Sequence, residues 1–276
     1  MKTKRADVLL VETLGVESIE LAQALIMEGR VMQGDRKILR ASEALRADAV
    51  LRIRGDLDPY VSLGAHKLKR ALEVFQINLK GRVCVDVGAS TGGFTDVMLR
   101  AGADKVYSVD VGYNLLDYRL RSDPRVVCME RTNARFLEAE AFRPRPVFGA
   151  TDVSFISLKA VLPAALSILE GEERRFVALV KPQFEAARED VGEKGVVRER
   201  RVHESVLRDI VGFIPSLGWH AQGLDYSPIR GPEGNIEFLL DLAPGVNSTE
   251  RVVEAKISAT IEAAYDKILK SPNRDL

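Results

Sequence analysis

Residues 83–96 read V-C-V-D-V-G-A-S-T-G-G-F-T-D: a short apolar strand ending in Asp86, a turn of small residues, and the opening of an amphipathic helix. No other stretch constrains the fold so tightly. A short apolar run bounded by a Gly-rich turn and followed by helical periodicity begins a strand–helix–strand unit, and such units build parallel sheets covered on both faces. Gly88, Gly92 and Gly93 let the backbone approach a ligand, and a helix starting there turns free N–H groups toward it. Two nucleotide turns do not fit. Ala89, Ser90 and Thr91 separate Gly88 from Gly92, so G-x-G-x-x-G fails, and the sequence contains no G-x-x-x-x-G-K-[ST].

A second predicted strand, residues 105–109, ends at Asp110, about 20 residues past the turn, where an acidic side chain takes the hydroxyls of an adenosine ribose. A Gly-rich turn alone is more often an ordinary connection. Asp86 and Asp110 at two successive strand ends favour a nucleoside ligand, and the D-x-G-x-x-x-G turn resembles the first motif of Rossmann-like S-adenosylmethionine methyltransferases. Further strands are predicted near Val126, Val147, Phe176 and Ile236 with helical periods between them. That alternation specifies an α/β fold, a doubly wound sheet with helices on both faces. Residues 218–226 and 235–242 read as a closing strand pair of antiparallel character at the sheet edge.

Residues 6–55 follow a different logic. A helix is predicted over 6–14, and a second is capped by Ser18, runs to Glu28 and is closed by Gly29. A strand at 31–33, a Gly34-Asp35 turn and a strand at 49–54 complete a small α+β unit. About 50 residues make a marginal core, so the unit reads as an appended binding module. The boundaries expected are 1–57 for this module, 58–62 for a linker holding Pro59, and 63–276 for the catalytic domain.

Composition narrows the class. With 46% hydrophobic and 29% charged residues in 276, the chain reads as soluble and globular. The N-terminal residues lack the apolar core of a signal peptide, so a cytoplasmic location is expected, with Cys84 and Cys128 as reduced thiols. Two distant Cys and three scattered His form no ligand-spaced cluster, and no metal is expected. Charge balances at 40 basic against 40 acidic residues, yet Lys67, Lys69, Arg70, Lys80 and Arg82 face only Glu73 between positions 67 and 82. That stripe reads equally well as a phosphate-binding face or a solvated helix.

In open α/β sheets ligands sit outside the carboxyl ends of strands, where residues distant in sequence converge. Asp152 follows the predicted strand at 147–151, Lys181 follows 176–180, and Glu237 begins the last strand, while Lys67 precedes the sheet. Lys181, between an apolar strand and Pro182, is expensive to desolvate unless paired, which points to a site.

The ordered motifs G-A-H-K-L, D-V-G-A-S-T-G-G-F-T, D-V-G-Y, E-R-T-N-A-R, D-V-S-F-I-S-L, L-V-K-P-Q-F-E and G-P-x-G-N-I-E-F resemble the TlyA, or haemolysin-A-named, family of rRNA 2'-O-methyltransferases. The resemblance runs from residue 6 to about residue 242 and implies an FtsJ-type, Rossmann-like class I methyltransferase domain. It also implies S-adenosylmethionine as cofactor, rRNA within ribosomal subunits as partner, and methylation of cytidine 2'-hydroxyls in small- and large-subunit rRNA. By motif, the catalytic set falls on Lys67, Asp152, Lys181 and Glu237, and the cofactor set on Asp86, Gly88, Ser90, Thr91, Gly92, Phe94, Asp110, Asn133 and Asp152. Lys181 would accept the 2'-hydroxyl proton or stabilise the alkoxide, with Asp152 and Glu237 orienting the lysines. The first 57 residues resemble the alpha-L RNA-binding module, with Ile19, Leu21 and, beside the catalytic set, Leu63 departing from the basic residues usual in the two families. The remaining phosphate-binding candidates are Lys2, Lys4, Arg5, Arg30 and Lys37, joined by Lys69 and Arg70 from the stripe. A catalytically silent ribosome-binding assembly factor is the main alternative. A membrane-active haemolysin, which would need a secretion signal and amphipathic membrane segments, ranks lower.

Overall fold

The computed structural model describes residues 3–16, 18–27, 29–54, 60–245 and 249–269. The chain divides into two units, one reaching to Pro59 and the other spanning Tyr60–Lys270.

The smaller unit contains β1 (Thr3–Arg5), α1 (Ala6–Leu14), α2 (Ile19–Met27), β2 (Val31–Gln33), β3 (Arg36–Lys37), β4 (Ala44–Arg46) and β5 (Arg52–Ile53). Leu9 and Leu10 of α1 and Leu25 and Ile26 of α2 pack with Val31, Ile38, Leu45 and Leu51 into a small core. Ser18 accepts a hydrogen bond from the Leu21 N–H through its Oγ at 3.1 Å, the start signal expected of it. The strand expected over 49–54 shrinks to Arg52 and Ile53, which pair with β2. The β1–β4 ladder has no signature in the sequence, because β4 has a single buried residue, Leu45, too little to register as alternation.

The larger unit opens with α3 (Ala65–Val74) and then alternates: β6 (Val83–Val87), α4 (Gly93–Arg100), β7 (Lys105–Val109), α5 (Tyr118–Arg121), β8 (Val126–Met129), β9 (Phe148–Thr151), α6 (Leu158–Ser167), β10 (Arg175–Val180), α7 (Pro182–Glu185), α8 (Arg200–Phe213), β11 (Trp219–Tyr226), β12 (Phe238–Pro244) and α9 (Thr249–Ala264). The sheet order is β11-β12-β10-β9-β6-β7-β8. β10, β9, β6, β7 and β8 run parallel, and β12 and β11 add antiparallel pairs at one edge.

Successive residues of the central strands enter opposite cores, which is why these strands read as continuous apolar runs. Val85 and Val87 pack with Phe176, Ala178 and Val180 beneath Leu162, Leu207 and Ile257 of α6, α8 and α9. Cys84 packs with Val106, Val177 and Leu179 beneath Leu68 and Met98 of α3 and α4. The chain leaves β6 toward β7 and β8, then returns to β9 on the other flank of β6. This reversal opens a crevice at the carboxyl ends of β6 and β9, the position where such sheets bind ligands.

Candidate active site

The turn after β6 is shaped by two glycines. Gly88 has φ +87°, and a Cβ there would lie 2.9 Å from the Asp152 carbonyl oxygen. Gly92 has φ +99°, and its Cβ would lie 2.3 Å from a Leu120 methyl. Both positions need the left-handed region and the missing side chain together. Ser90 also adopts a positive φ of 49°. The amides of Gly88 and Ala89 both donate to the Val109 carbonyl, fixing the turn to the end of β7.

Carboxylates hold this cradle. Asp86 is fully buried, and its Oδ2 accepts from the Thr95 N–H at 2.8 Å and the Thr95 hydroxyl at 2.7 Å. Its Oδ1 is buried with no hydrogen-bond partner in the structure. Burial, with Thr95 opposing it and nearby Asp152 and Asp110 adding to it, pushes the carboxyl up to about 7. Asp110 Oδ2 accepts from the Ser90 N–H at 2.8 Å and Oδ1 from the Gly112 N–H at 2.7 Å, so its carboxylate is fixed across the mouth of the turn with lone pairs to spare. Thr91 is exposed, whereas Phe94 is 3% exposed and belongs to the core. Asn133 uses Oδ1 to cap the turn that follows β8, accepting from the Arg135 N–H at 3.0 Å. That turn adjoins Asp110, whose carbonyl accepts from the Thr132 N–H at 2.9 Å.

Across the crevice, Lys67, Asp152, Lys181 and Glu237 meet in one chain of contacts. Lys67 Nζ lies 2.6 Å from Glu237 Oε2 and 3.5 Å from Asp152 Oδ2, and Lys181 Nζ lies 2.7 Å from Asp152 Oδ1. Asp152 bridges the two ammonium groups. Lys67 and Lys181 are 6% and 8% exposed and Glu237 is fully buried, so these charges are withdrawn from water and depend on one another. Burial lowers the Lys67 pKa, but Asp152 and Glu237 outweigh it and the net shift is upward, holding this amine protonated. Burial pushes Glu237 up against the pull of Lys67. Glu237 lies just ahead of β12 rather than within the last strand, because a turn closed by the Gly231 N–H donating to the Asn235 carbonyl delays the ladder to Phe238.

The cradle and the chain of charges touch at Asp152. Its N–H donates to the Val87 carbonyl at 3.1 Å, and its own carbonyl packs against Gly88. Two residues with no separate sequence signal join them. Ser154 Oγ accepts from Lys181 Nζ at 2.8 Å. Phe155 is 88% exposed, has φ +64°, and sets its ring 5.2 Å from that of Phe184. A bulky residue with positive φ marks a held conformation. The D-V-S-F stretch contained both, but nothing in its pattern distinguishes them from an ordinary loop.

The candidate phosphate-binding residues occupy unlike environments. Lys2 lies outside the described residues. Lys4 pairs with Glu12, Arg5 pairs with Asp7, and Arg30 is 6% exposed with Nε donating to the Arg54 carbonyl. Lys37 is exposed on β3. In the stripe, Lys69 is exposed with Glu73 at 3.9 Å, Arg70 is tied to Asp225 and stacked 4.4 Å from the centre of the Tyr226 ring, and Arg82 reaches Glu173. Lys67 turns inward to Glu237, so the stripe separates into unlike environments. Among the described residues no group of three or more metal-ligating side chains occurs, and no helix is long and apolar enough to cross a membrane.

A seven-stranded, mostly parallel sheet with two antiparallel edge strands and a Gly-rich cradle at its switch point defines a Rossmann-like methyltransferase fold. A Listeria monocytogenes structure assigned to the S-adenosylmethionine-dependent methyltransferases shares this fold at TM-score 0.50 and 13% identity, over 67% of this chain and 100% of that one. Residues 60–243 match the FtsJ-like methyltransferase family, and the chain belongs to that family. It is 42% identical to the Mycobacterium tuberculosis 16S/23S rRNA (cytidine-2'-O)-methyltransferase TlyA over 91% of this chain and 93% of that protein. A Streptococcus thermophilus structure carrying a hemolysin name matches at TM-score 0.75 and 41% identity over 97% of both chains.

Proposed function

We propose that this methyltransferase moves a methyl group from S-adenosylmethionine to a ribose 2'-hydroxyl of cytidine in rRNA, acting on small- and large-subunit RNA in the cytoplasm. The observation that carries this reading is the continuous contact from Lys181 through Asp152 and Lys67 to Glu237, set beside a cradle that admits no Cβ at Gly88. The relatives that this chain resembles act on the same class of hydroxyl by name.

The cradle fits the cofactor on its own geometry. Asp110, fixed by the Ser90 and Gly112 amides, would take the ribose hydroxyls, and Gly88, Ser90, Thr91 and Gly92 would line the turn. Asp86 would anchor the turn from beneath through Thr95, Phe94 would pack under it, and Asn133 would position the loop on the adenosine side. When bound, S-adenosylmethionine supplies an electrophilic methyl group on a positively charged sulfur.

The chain's own side chains then deal with the nucleophile. A neutral hydroxyl attacks poorly, so the 2'-oxygen must lose its proton as its bond to carbon forms and the carbon–sulfur bond breaks. Lys67, held protonated between Asp152 and Glu237, is a fixed positive charge that favours an alkoxide nearby. Lys181 receives the proton, and Asp152 at 2.7 Å stabilises the ammonium that results. Glu237 keeps Lys67 in place. Phe155 offers an exposed aromatic face beside these groups on which a base can stack. The unit ending at Pro59 serves as an alpha-L RNA-binding module through Lys2, Lys4, Arg5, Arg30 and Lys37, with Lys69 and Arg70 completing the set.

Quantitative mapping of 2'-O-methyl groups on rRNA from cells with and without this protein tests the reading. Loss of methylation at one or more cytidines is expected. An unchanged map, together with no transfer to isolated subunits, would leave a ribosome-binding factor.

A further inference from the structure

Lys181 has two fixed partners, Asp152 Oδ1 at 2.7 Å and Ser154 Oγ at 2.8 Å. A neutral lysine amine has two N–H bonds and one lone pair on a tetrahedral nitrogen. When one N–H is given to Ser154 and the other turns toward the Asp152 carboxylate paired with the amine, the lone pair has a single remaining direction. With Asp152 alone, the amine can rotate about the Cε–Nζ bond and point its lone pair in more than one way. We propose that Ser154 is a positioning residue of the methyl-transfer centre, fixing the rotation of the Lys181 amine so that its lone pair meets the 2'-hydroxyl proton.

Three observations separate this role from an ordinary loop contact. Ser154 is exposed, so its hydroxyl fills no core space and satisfies no buried group except the 8%-exposed Lys181. Its segment is held from both sides: the Asp152 N–H is bonded to β6, and Phe155, at positive φ, rests against Phe184 three residues beyond Lys181. Farther along, Ser157 Oγ donates to Glu185 Oε2 at 2.6 Å and the Leu158 N–H donates to Glu185 Oε1 at 2.7 Å, tying the loop after β9 to the residues after β10. The Ser154 hydroxyl is thus presented to Lys181 by a loop anchored at several points. Pre-set orientation of this kind is worth most in the transition state, because a misdirected base costs rate without costing binding.

The inference rests on Lys181 being the proton acceptor, and the experiment separates the two claims. Single-turnover transfer of a labelled methyl group to ribosomal subunits is measured for the wild type, Ser154→Ala, Ser154→Thr and Lys181→Ala, with cofactor and subunit affinities measured alongside. Ser154→Ala is expected to slow transfer about 10-fold, less than the roughly 10²–10⁴-fold of a positioned acid or base because Lys181 itself remains, while both affinities stay within about 3-fold. Ser154→Thr, which keeps the hydroxyl, restores most of the rate. In the cofactor-free protein, NMR of lysine amine groups should show faster hydrogen exchange at Lys181 in Ser154→Ala and not in Ser154→Thr. Wild-type transfer and exchange in Ser154→Ala, with Lys181→Ala inactive, would overturn the role of Ser154 alone. Equal losses in Ser154→Ala and Ser154→Thr would also overturn it, since the loop and not the hydroxyl would then be responsible. Wild-type transfer by Lys181→Ala would remove the base assignment beneath it.

Discussion

The cradle after β6 and the charged chain around Asp152 lie side by side, yet they are built in opposite ways. The cradle is nearly local: Asp86 binds Thr95 nine residues on, and Asp110 binds Ser90 and Gly112. Backbone amides and the Thr95 hydroxyl bind its carboxylates, with Asp86 Oδ1 left without a hydrogen-bond partner. The charged chain draws on α3, the ends of β9 and β10, and the segment before β12, so its members meet only when the whole sheet is assembled. Its charges are satisfied almost entirely by one another. The cradle should therefore tolerate single changes with local losses, whereas the charged chain should fail as a unit.

The largest effect should come from splitting the buried pair. Lys67→Met leaves Glu237 fully buried without its 2.6 Å partner and should destabilise the fold by about 3–5 kcal/mol. The double variant Lys67→Met/Glu237→Gln should recover most of that loss. Chemical denaturation of the wild type, Lys67→Met, Glu237→Gln and the double variant decides it, and additive losses would mean that the pair is not a unit.

The cradle has its own stability signature, which is a pH slope. Asp86 is raised from 3.8 to about 7 in the native protein. Between those values the native state keeps a proton that the unfolded chain has released, so its contribution is full below about pH 4 and lost as pH rises through 7. His203, lowered from 6.5 to about 4 by burial, acts in the opposite sense: its contribution is lost as pH falls through that window. Comparing Tm for the wild type and Asp86→Asn from pH 4 to 8 cancels the histidine. The advantage of the wild type should shrink steadily toward pH 7, and a difference independent of pH would show that Asp86 is ionised throughout.

Asp110→Ala should produce a smaller loss confined to the cofactor. A charge-assisted hydrogen bond removed at this position weakens S-adenosylmethionine binding by about 1.5–3 kcal/mol, with little change in global stability because Asp110 is only partly buried. Calorimetry showing unchanged affinity in the folded variant would take Asp110 out of the site. Smaller again is the effect of Phe155→Ala, which should weaken subunit binding by about 1–3 kcal/mol at most and leave cofactor affinity as it was. A change in cofactor affinity would mean that the aromatic face belongs to the cradle.

The same contrast explains what could be read from the sequence. The strand–turn–helix of residues 83–96 and the second acid at Asp110 are contiguous patterns, and the parallel core followed from alternating strands and helices. Lys67, Asp152, Lys181 and Glu237 were legible as candidates because three adjoin strand ends, but their pairing was not, since no local rule brings α3 onto the segment before β12. Ser154 escaped notice because a hydroxyl gains meaning only from the lysine placed against it. The basic stripe divides for a related reason: helical spacing turns Lys67 inward, leaves Lys69 outside and directs Arg70 to Tyr226, so neighbours in sequence enter different environments. In the small unit β2 was legible beside its Gly34-Asp35 turn, whereas β3 and β4 carry too little pattern to be read.

The central claim is that the charged chain performs the proton chemistry while the cradle only holds the cofactor. Lys181→Ala tests it most directly, in single-turnover transfer from labelled S-adenosylmethionine to ribosomal subunits. Transfer should fall by at least about 10²-fold, with cofactor binding unchanged and subunit binding within a few-fold, because the lost group acts on a proton that moves only in the transition state. Lys181→Arg should not rescue it, since a guanidinium does not give up its proton. A folded Lys181→Ala protein that transfers methyl groups at the wild-type rate would contradict the account.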